Sequence, residues 1–256
     1  MKRKLFNFIR FLGLDYKRIL SLKFLPYFIF QLLKFKRLGG KVNSIVPILE
    51  DYKAQAGNSK SPYFLIDSLV AREIYKNKPK SHFDVGSRID GLVGQVSIFS
   101  KVDVADIRPL SVDKRLNFSF KQFDLMNSEA IAEMKGSYSS ISSIHAIEHF
   151  GLGRYGDPLN LEGHLIGIKN ICCLLSNKGK LYLGFPCGLD VIEFNSQRLL
   201  NPHKVMNELL KQQLQFDKAW HVGRNGALNE IFDSEDLKKI MDGTIALICS
   251  KHDKPS

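Results

Sequence analysis

The chain has 256 residues, of which 44% are hydrophobic and 25% charged, a composition typical of a globular protein with a substantial core. Its formal net charge is +11, but residues 1–41 hold eleven of the 37 lysines and arginines and one of the 26 acidic residues, so the rest of the chain is nearly neutral. Nucleic acid is therefore not an expected partner. The four cysteines have no CxxC or metal-type spacing, which indicates a reducing, cytoplasmic compartment.

Residues 1–41 form a basic amphipathic extension, in which aromatic and aliphatic side chains alternate with lysine and arginine. Such a segment can lie in a bilayer interface, with its apolar side chains in the membrane and its cations on anionic head groups. A helical extension that packs on the rest of the chain, or on a second subunit, fits the same pattern. The longest apolar run, residues 24–30, contains Pro26 and is far shorter than the roughly twenty residues of a transmembrane helix. We therefore expect at most peripheral contact with the inner face of a membrane.

Residues 42–62 predict a linker, and residues 63–256 a second domain. Apolar periodicity predicts helices at 63–75, 92–99 and 161–175, and a capping pattern at Ser234 predicts another. Predicted strands lie at 83–85, 102–105, 121–123, 138–146, 180–185 and 244–250. Strands separated by helical runs predict an α/β fold with a doubly wound, mostly parallel sheet and helices on both faces.

Acidic residues follow the first three predicted strands. Asp84 is followed after Val85 by Gly86, whose missing Cβ lets a ligand approach the backbone. Asp106 closes the second strand and Asp124 the third. Ligands of doubly wound sheets bind outside the carboxyl ends of the strands, so an acid after strand two can accept the hydroxyls of a ribose, and one after strand three an adenine amino group.

This arrangement resembles the class I S-adenosylmethionine-dependent methyltransferases. More narrowly, it resembles an uncharacterised branch of that superfamily, first described as a domain of unknown function in nematodes and also found in bacteria among surface-polysaccharide genes. The resemblance covers residues 63 to about 205 and implies a Rossmann-like methyltransferase fold with S-adenosyl-L-methionine as cofactor. The residues that carry it are Tyr63-Phe64, Asp67, Val70-Ala71, and the stretches 84–91, 106–110, 145–158 and 184–198.

Carried over residue by residue, the resemblance implies contacts with each part of the cofactor. Gly86, Ser87 and Gly91 would line its methionine side, Asp106 its ribose, and His145 the transferred methyl. The full predicted cofactor site is Asp84, Gly86, Ser87, Arg88, Gly91, Asp106, Ile107, Asp124, Leu125 and His145. The sequence departs from the usual loop at Arg88 and Asp90, which stand where that loop has glycines.

The stretch 145–158 contains the candidate catalytic residues. Methyl transfer to a hydroxyl needs alignment and a base that takes the proton. His149 suits that task, and Glu148 could orient it or replace it. Glycines around Arg154 and Tyr155 predict a loop shaped over a substrate. Further along, Asn195 and Arg198 are candidates for holding a polar or anionic acceptor.

We therefore expect methyl transfer to an oxygen of a small-molecule or glycan acceptor, such as a sugar or a lipid-linked glycan in surface polysaccharide biosynthesis. The competing hypothesis is a catalytically inactive binding or regulatory protein with the same fold, because Arg88 and Asp90 alter the loop. A third hypothesis is a zinc hydrolase, since residues 145–149 spell H-x-x-E-H. The serine-rich strand composition before His145 argues against a shared helical face, and we expect no metal.

Overall fold

The computed structural model describes residues 11, 13 and 15–252, which divide between two compact units, Met1–Asn58 and Ser59–Ser256. The first ten residues of the predicted N-terminal extension lie outside the described residues. Within the described part of the chain, no helix combines the length and the apolar character that crossing a bilayer requires.

From residue 15 onward, the first unit contains the helices α1 (Tyr16–Ser21) and α2 (Leu25–Arg37), joined by a 3₁₀ turn. Pro26 lies in the first turn of α2, where a missing backbone N–H breaks no helical hydrogen bond. The rings of Phe24 and Tyr27 both pack on Tyr52 at 4.8 Å between centroids. The predicted division into an extension at 1–41 and a linker at 42–62 stays a prediction.

The second unit begins with α3 (Pro62–Asn77), which buries Ile66, Val70 and Ile74 along one face. Its first residue is a proline, whose fixed φ suits that position. The helix ends at Lys78, which adopts a left-handed conformation with φ 47° immediately before Pro79.

An eight-stranded sheet forms the centre of this unit. Its order is β3-β2-β1-β4-β5-β10-β8-β9, and the first five strands are parallel. The strand order reverses between β1 and β4, where open α/β sheets bind ligands. A separate hairpin of β6 and β7 follows β5. The strands are β1 (Ser81–Val85), β2 (Lys101–Asp106), β3 (Phe118–Gln122), β4 (Tyr138–Ile144), β5 (Leu175–Pro186), β6 (Val191–Glu193), β7 (Gln197–Leu199), β8 (Leu214–Val222), β9 (Leu228–Ile231) and β10 (Thr244–Lys251).

Apolar side chains cover both faces of the sheet. One core contains the α3 stripe and Val102, and the other contains Phe83, Leu183 and Ile171. The remaining helices are α4 (Gly94–Val96), α5 (Ser128–Ala132), α6 (Gly163–Leu174), α7 (Pro202–Lys211) and the 3₁₀ helices Ile147–His149 and Ser234–Lys239. The predicted doubly wound, mostly parallel fold with helices on both faces is confirmed.

Some local predictions were wrong. The helix expected at 92–99 is a π-type turn at Ile89–Val93 followed by the single turn of α4, because Gly91 leaves helical geometry with φ −114° and ψ −112°. The third strand ends at Gln122, so Asp124 lies two residues past it. The prediction also missed α7 and the strands β6 to β9.

Candidate functional site

A pocket lies at the carboxyl ends of the parallel strands, near the point where the strand order reverses. Its enclosed part has a volume of about 120 Å³ and opens to solvent. Most of its walls are apolar, with a few polar groups between them. It is lined by Val85, Gly86, Arg88, Ala105, Asp106, Ile107, Arg108, Phe123, Asp124, Leu125, Met126, His145, Ala146, His149, Phe150, Tyr155 and Asp157.

Gly86 forms the turn that opens the pocket after β1. Its φ is +69°, a region that side chains disfavour, and its N–H donates to the carbonyl of Ala105 at 2.9 Å. A Cβ at this position would lie 2.9 Å from the Cβ of Ala146. The turn therefore requires glycine both for its conformation and for the space beside β4.

Asp84 and Ser87 lie beneath this turn and hold it in shape. The Ser87 N–H and hydroxyl donate to the Asp84 carboxylate at 3.0 and 2.6 Å, and the Ser142 hydroxyl donates to the same group. Because Ser142 donates there, it accepts from Nε2 of His82, at 2.8 Å. Burial raises the pKa of Asp84 to about 6, although these hydrogen bonds oppose the rise. Neither Asp84 nor Ser87 lines the pocket itself.

The two unusual loop residues bind each other. The Arg88 guanidinium donates to both oxygens of Asp90, at 3.0 and 2.7 Å, and both side chains are exposed. Arg88 also lines the pocket, whereas Gly91 does not. Gly91 instead packs against the carboxylate of Asp67 on α3, a residue whose role the sequence analysis did not predict.

The acids after strands two and three both line the pocket. Asp106 accepts from the backbone N–H of Arg108 at 2.8 Å and from its guanidinium at 3.0 and 2.6 Å. Asp124 accepts from the N–H of Met126 at 2.8 Å, which turns the chain at that point. Ile107 and Leu125 add apolar walls beside these acids. The predicted ribose and adenine residues are therefore brought to one pocket.

His145, Glu148 and His149 lie together on the opposite wall. Glu148 is buried, and its Oε1 lies 3.6 Å from Nδ1 of His145 and 3.7 Å from Nε2 of His149. Nδ1 of His149 lies 2.7 Å from the carbonyl oxygen of Ser196. Because a carbonyl only accepts, Nδ1 carries the proton and Nε2 is an acceptor, which the Arg154 guanidinium approaches at 3.5 Å. Burial lowers the pKa of His149, and the nearby Glu148 carboxylate partly offsets this effect.

The loop of residues 150–161 covers this wall. Asp157 holds it by accepting from the backbone N–H groups of Gly151, Gly153 and Tyr155, at 2.8, 3.2 and 3.1 Å. The ring of Tyr155 meets the ring of His149 edge-on at 5.7 Å. Two guanidinium groups also lie over that ring: Arg108 at 4.4 Å and Arg154 at 5.0 Å from its centroid.

Asn195 and Arg198, the other predicted acceptor residues, belong to the hairpin of β6 and β7. Asn195 is exposed at its tip, with φ 60°. Arg198 is buried and donates to the backbone carbonyls of Phe150, Asn160 and Leu161. Its guanidinium thus joins the hairpin to both ends of the 150–161 loop, which gives it a structural place that differs from the predicted acceptor contact. Sequence reasoning could not identify these carbonyl partners, because any residue supplies them.

Neither a zinc site nor a cysteine nucleophile has much support at this site. Within residues 15–252, no three His, Cys, Asp or Glu side chains converge so that they could hold a metal ion. His145 ends the turn after β4 with φ 57°, outside the 3₁₀ helix that contains His149, so the two histidines do not share a helical face. Cys187 is buried, and this burial raises the pKa of its thiol well above its usual range.

Comparisons with known proteins agree with this geometry. A family model described as "Caenorhabditis protein of unknown function, DUF268" matches residues 102–210. No curated protein matches the chain. Solved structures match it over most of its length. The fold is that of the class I S-adenosylmethionine-dependent methyltransferases. The resemblance to the family first described in nematodes is therefore confirmed over residues 102–210, and the broad resemblance is confirmed for the fold, while the link to surface-polysaccharide genes stays a prediction.

Two of the matching structures come from Burkholderia thailandensis. The first is the 1,6-didemethyltoxoflavin-N1-methyltransferase with bound 1,6-didemethyltoxoflavin and S-adenosylhomocysteine, at 9% identity and a TM-score of 0.55 over 84% of this chain and 95% of that one. The second is an O-methyltransferase family protein, at 9% identity and a TM-score of 0.52 over 77% of this chain and 58% of that one. At such identities the likeness establishes the shared fold alone.

Proposed function

We propose that this chain transfers a methyl group from S-adenosyl-L-methionine to a hydroxyl oxygen of a sugar or lipid-linked glycan, in the synthesis of a surface polysaccharide. One observation carries the proposal: a single pocket joins the Gly86 turn and Asp106 to His149, whose Nε2 is the unprotonated ring nitrogen. The side of the pocket with Gly86 and Asp106 suits a nucleoside cofactor, and the His149 side suits proton removal from an acceptor.

The residues present fit this cofactor. The Gly86 turn leaves a cradle that a Cβ would fill, and the buried Nε2 of His145 has no hydrogen-bond partner. Asp106 would hold the ribose hydroxyls, and the apolar side chains near Leu125 would enclose the adenine. When bound, the cofactor supplies a methyl group on a positively charged sulfur. The Arg88–Asp90 ion pair is exposed, so the charge of Arg88, which lines the pocket, is already balanced.

His149 acts as the base. Its Nε2 would take the proton of the acceptor hydroxyl once the Arg154 guanidinium moves aside, and the bound cofactor would supply the methyl group that the oxygen receives. The Ser196 carbonyl fixes the ring in the required tautomer, and Glu148 stabilises the imidazolium that results. The lowered pKa keeps the imidazole unprotonated at neutral pH, so the base is ready before the acceptor arrives.

The glycan acceptor is supported by the surface around the pocket. Arg154 is exposed beside His149, and no carboxylate among the described residues forms an ion pair with it, although its guanidinium donates to the Ser196 carbonyl at 3.0 Å, so its charge remains to attract an anionic group. The hairpin and the 150–161 loop also expose apolar side chains, including Leu161, Ile192 and Phe194. A cation beside exposed apolar groups suits an anionic, lipid-linked sugar. Incubation with radiolabelled cofactor and either glycolipid extracts or water-soluble sugars tests this choice, and label only in the sugars would refute the lipid-linked acceptor.

Residues 1–41 would bring the enzyme to the membrane. Helix α2 buries no residue, exposes Phe30, Leu33 and Phe35, and ends in Lys34, Lys36 and Arg37. Deletion of residues 1–41 is expected to abolish binding to vesicles that contain anionic lipid, while neither form binds vesicles of neutral lipid. Unchanged binding by the truncated chain would favour the alternative, an extension that contacts protein.

The second candidate is the inactive binding protein, which one contact favours. Arg108 already occupies both oxygens of Asp106, so a ribose must share or displace it. Calorimetric titration with S-adenosylhomocysteine separates the two candidates. The enzyme proposal expects saturable one-to-one binding that Asp106→Ala abolishes. An absence of binding at millimolar ligand, in folded protein, would overturn it in favour of the binding protein.

A further inference from the structure

Asp67 is a buried acid that lacks a partner. It projects from α3 toward the Gly86–Gly91 loop and is 6% exposed. In the part of the chain that the structure describes, no hydrogen bond or ion pair reaches its carboxylate. Its Oδ2 presses so closely on Gly91 that a Cβ there would lie 2.3 Å away. The loop is therefore shaped around this carboxylate but gives it no donor.

The charged groups around Asp67 have other partners. Arg88 faces it, but the Arg88 guanidinium holds both oxygens of Asp90. His145 also faces it, yet Nδ1 of that ring lies beside Glu148 and its buried Nε2 has no hydrogen-bond partner. The carboxylate of Asp84 also repels the carboxylate of Asp67. This part of the loop thus has an excess of buried negative charge and an orphaned polar atom.

An unpaired buried carboxylate is costly, and such groups are concentrated at functional sites. Arg88 and His145, the two side chains that face Asp67, both line the pocket, so the carboxylate lies next to the part of the pocket that adjoins the Gly86 turn. A ligand that carries a positive charge and N–H donors would complement it. The amino-acid end of S-adenosylmethionine carries such a group, its α-ammonium.

We propose that Asp67 completes the cofactor site by binding this α-ammonium group, an assignment that rests on the proposed function. The usual loop has glycines where this chain has Arg88 and Asp90. Helix α3 supplies this altered loop with an anionic group that binds the amino-acid end of the ligand. Gly91 contributes by leaving room for the Asp67 carboxylate, rather than by contacting the cofactor.

Calorimetry with three probes tests the proposal: S-adenosylhomocysteine, its deamino analogue in which hydrogen replaces the amino group, and 5′-methylthioadenosine, which lacks the amino-acid end. Asp67→Asn is expected to weaken S-adenosylhomocysteine about tenfold or more, the usual size of a charged hydrogen bond. It should leave the other two probes within about twofold. On the unmodified chain the deamino analogue should bind about tenfold more weakly than S-adenosylhomocysteine.

The matched control is Glu73→Gln. Glu73 is a second buried acid on α3, but it pairs with Lys76 and Lys218 instead of facing the loop. This substitution should change the affinity for none of the probes. Equal weakening of all three probes by Asp67→Asn, or weakening of none, would overturn the assignment while leaving the cofactor site intact. If the unmodified chain binds no probe, the proposed function itself fails, and this assignment fails with it.

Discussion

Replacement of Asp67 by asparagine is expected to stabilise the ligand-free protein. Desolvation by burial raises the pKa of this carboxyl from 3.8 to about 6. That difference of about 2 pKa units corresponds to about 3 kcal/mol. Because the folded state holds the proton more tightly than the unfolded state, stability at this site falls as the pH rises from about 4 to about 6, and the full penalty remains above that range. Asparagine has a similar size and cannot ionise.

Urea unfolding of the unmodified chain and of Asp67→Asn, at several pH values, measures this effect. The variant should be more stable by up to about 3 kcal/mol at pH 8, and the two proteins should converge near pH 4. Saturating S-adenosylhomocysteine should shrink the difference, because the ligand binds the unmodified chain more tightly. A variant that is less stable at pH 8, or a difference that does not change with pH, would refute the reasoning.

Three other substitutions test the site. His149→Gln should lower the methyl-transfer rate about 10²- to 10⁴-fold while calorimetry shows unchanged S-adenosylhomocysteine affinity, and a normal rate would exclude the base. Gly86→Ala should cost more than about 1 kcal/mol in urea unfolding and abolish cofactor binding, because the new Cβ meets Ala146 at positive φ. Arg198→Met should cost about 2 kcal/mol or more and expose the 150–161 loop to protease, since three backbone carbonyls lose their donor.

The parts of the fold that follow a strong sequence period were predictable. The stripe of Ile66, Val70 and Ile74 specifies α3, and a short apolar strand before Asp84 specifies β1, because burial of these side chains dominates locally. The segment after Gly91 was harder. Its apolar residues fit a helix, but the Asp67 carboxylate occupies the space beside Gly91, and the chain turns there instead.

The residues of the site also divide into those that the sequence could predict and those that it could not. Acids that follow strands, such as Asp106, could be placed from the sequence because the sheet brings the strand ends together. Arg198 could not be placed, since its partners are backbone carbonyls of a distant loop. The importance of Asp67 was also hidden, because an acid on a helix usually faces solvent. Only the packing of α3 against the loop turns it inward.

If the Gly86 side of the pocket holds the cofactor and the His149 side the acceptor, as proposed, then different elements fix the two walls. Beneath the Gly86 turn, buried hydrogen bonds join β1 to β4 through Asp84 and Ser142, so the turn is held by the core of the sheet itself. The acceptor wall depends on the hairpin, because the Ser196 carbonyl orients His149 and Arg198 holds the 150–161 loop. A change in the hairpin therefore alters the base and the covering loop together, while the cofactor wall keeps its shape. On the proposed function, substitutions in the hairpin are therefore expected to change acceptor binding more than cofactor binding.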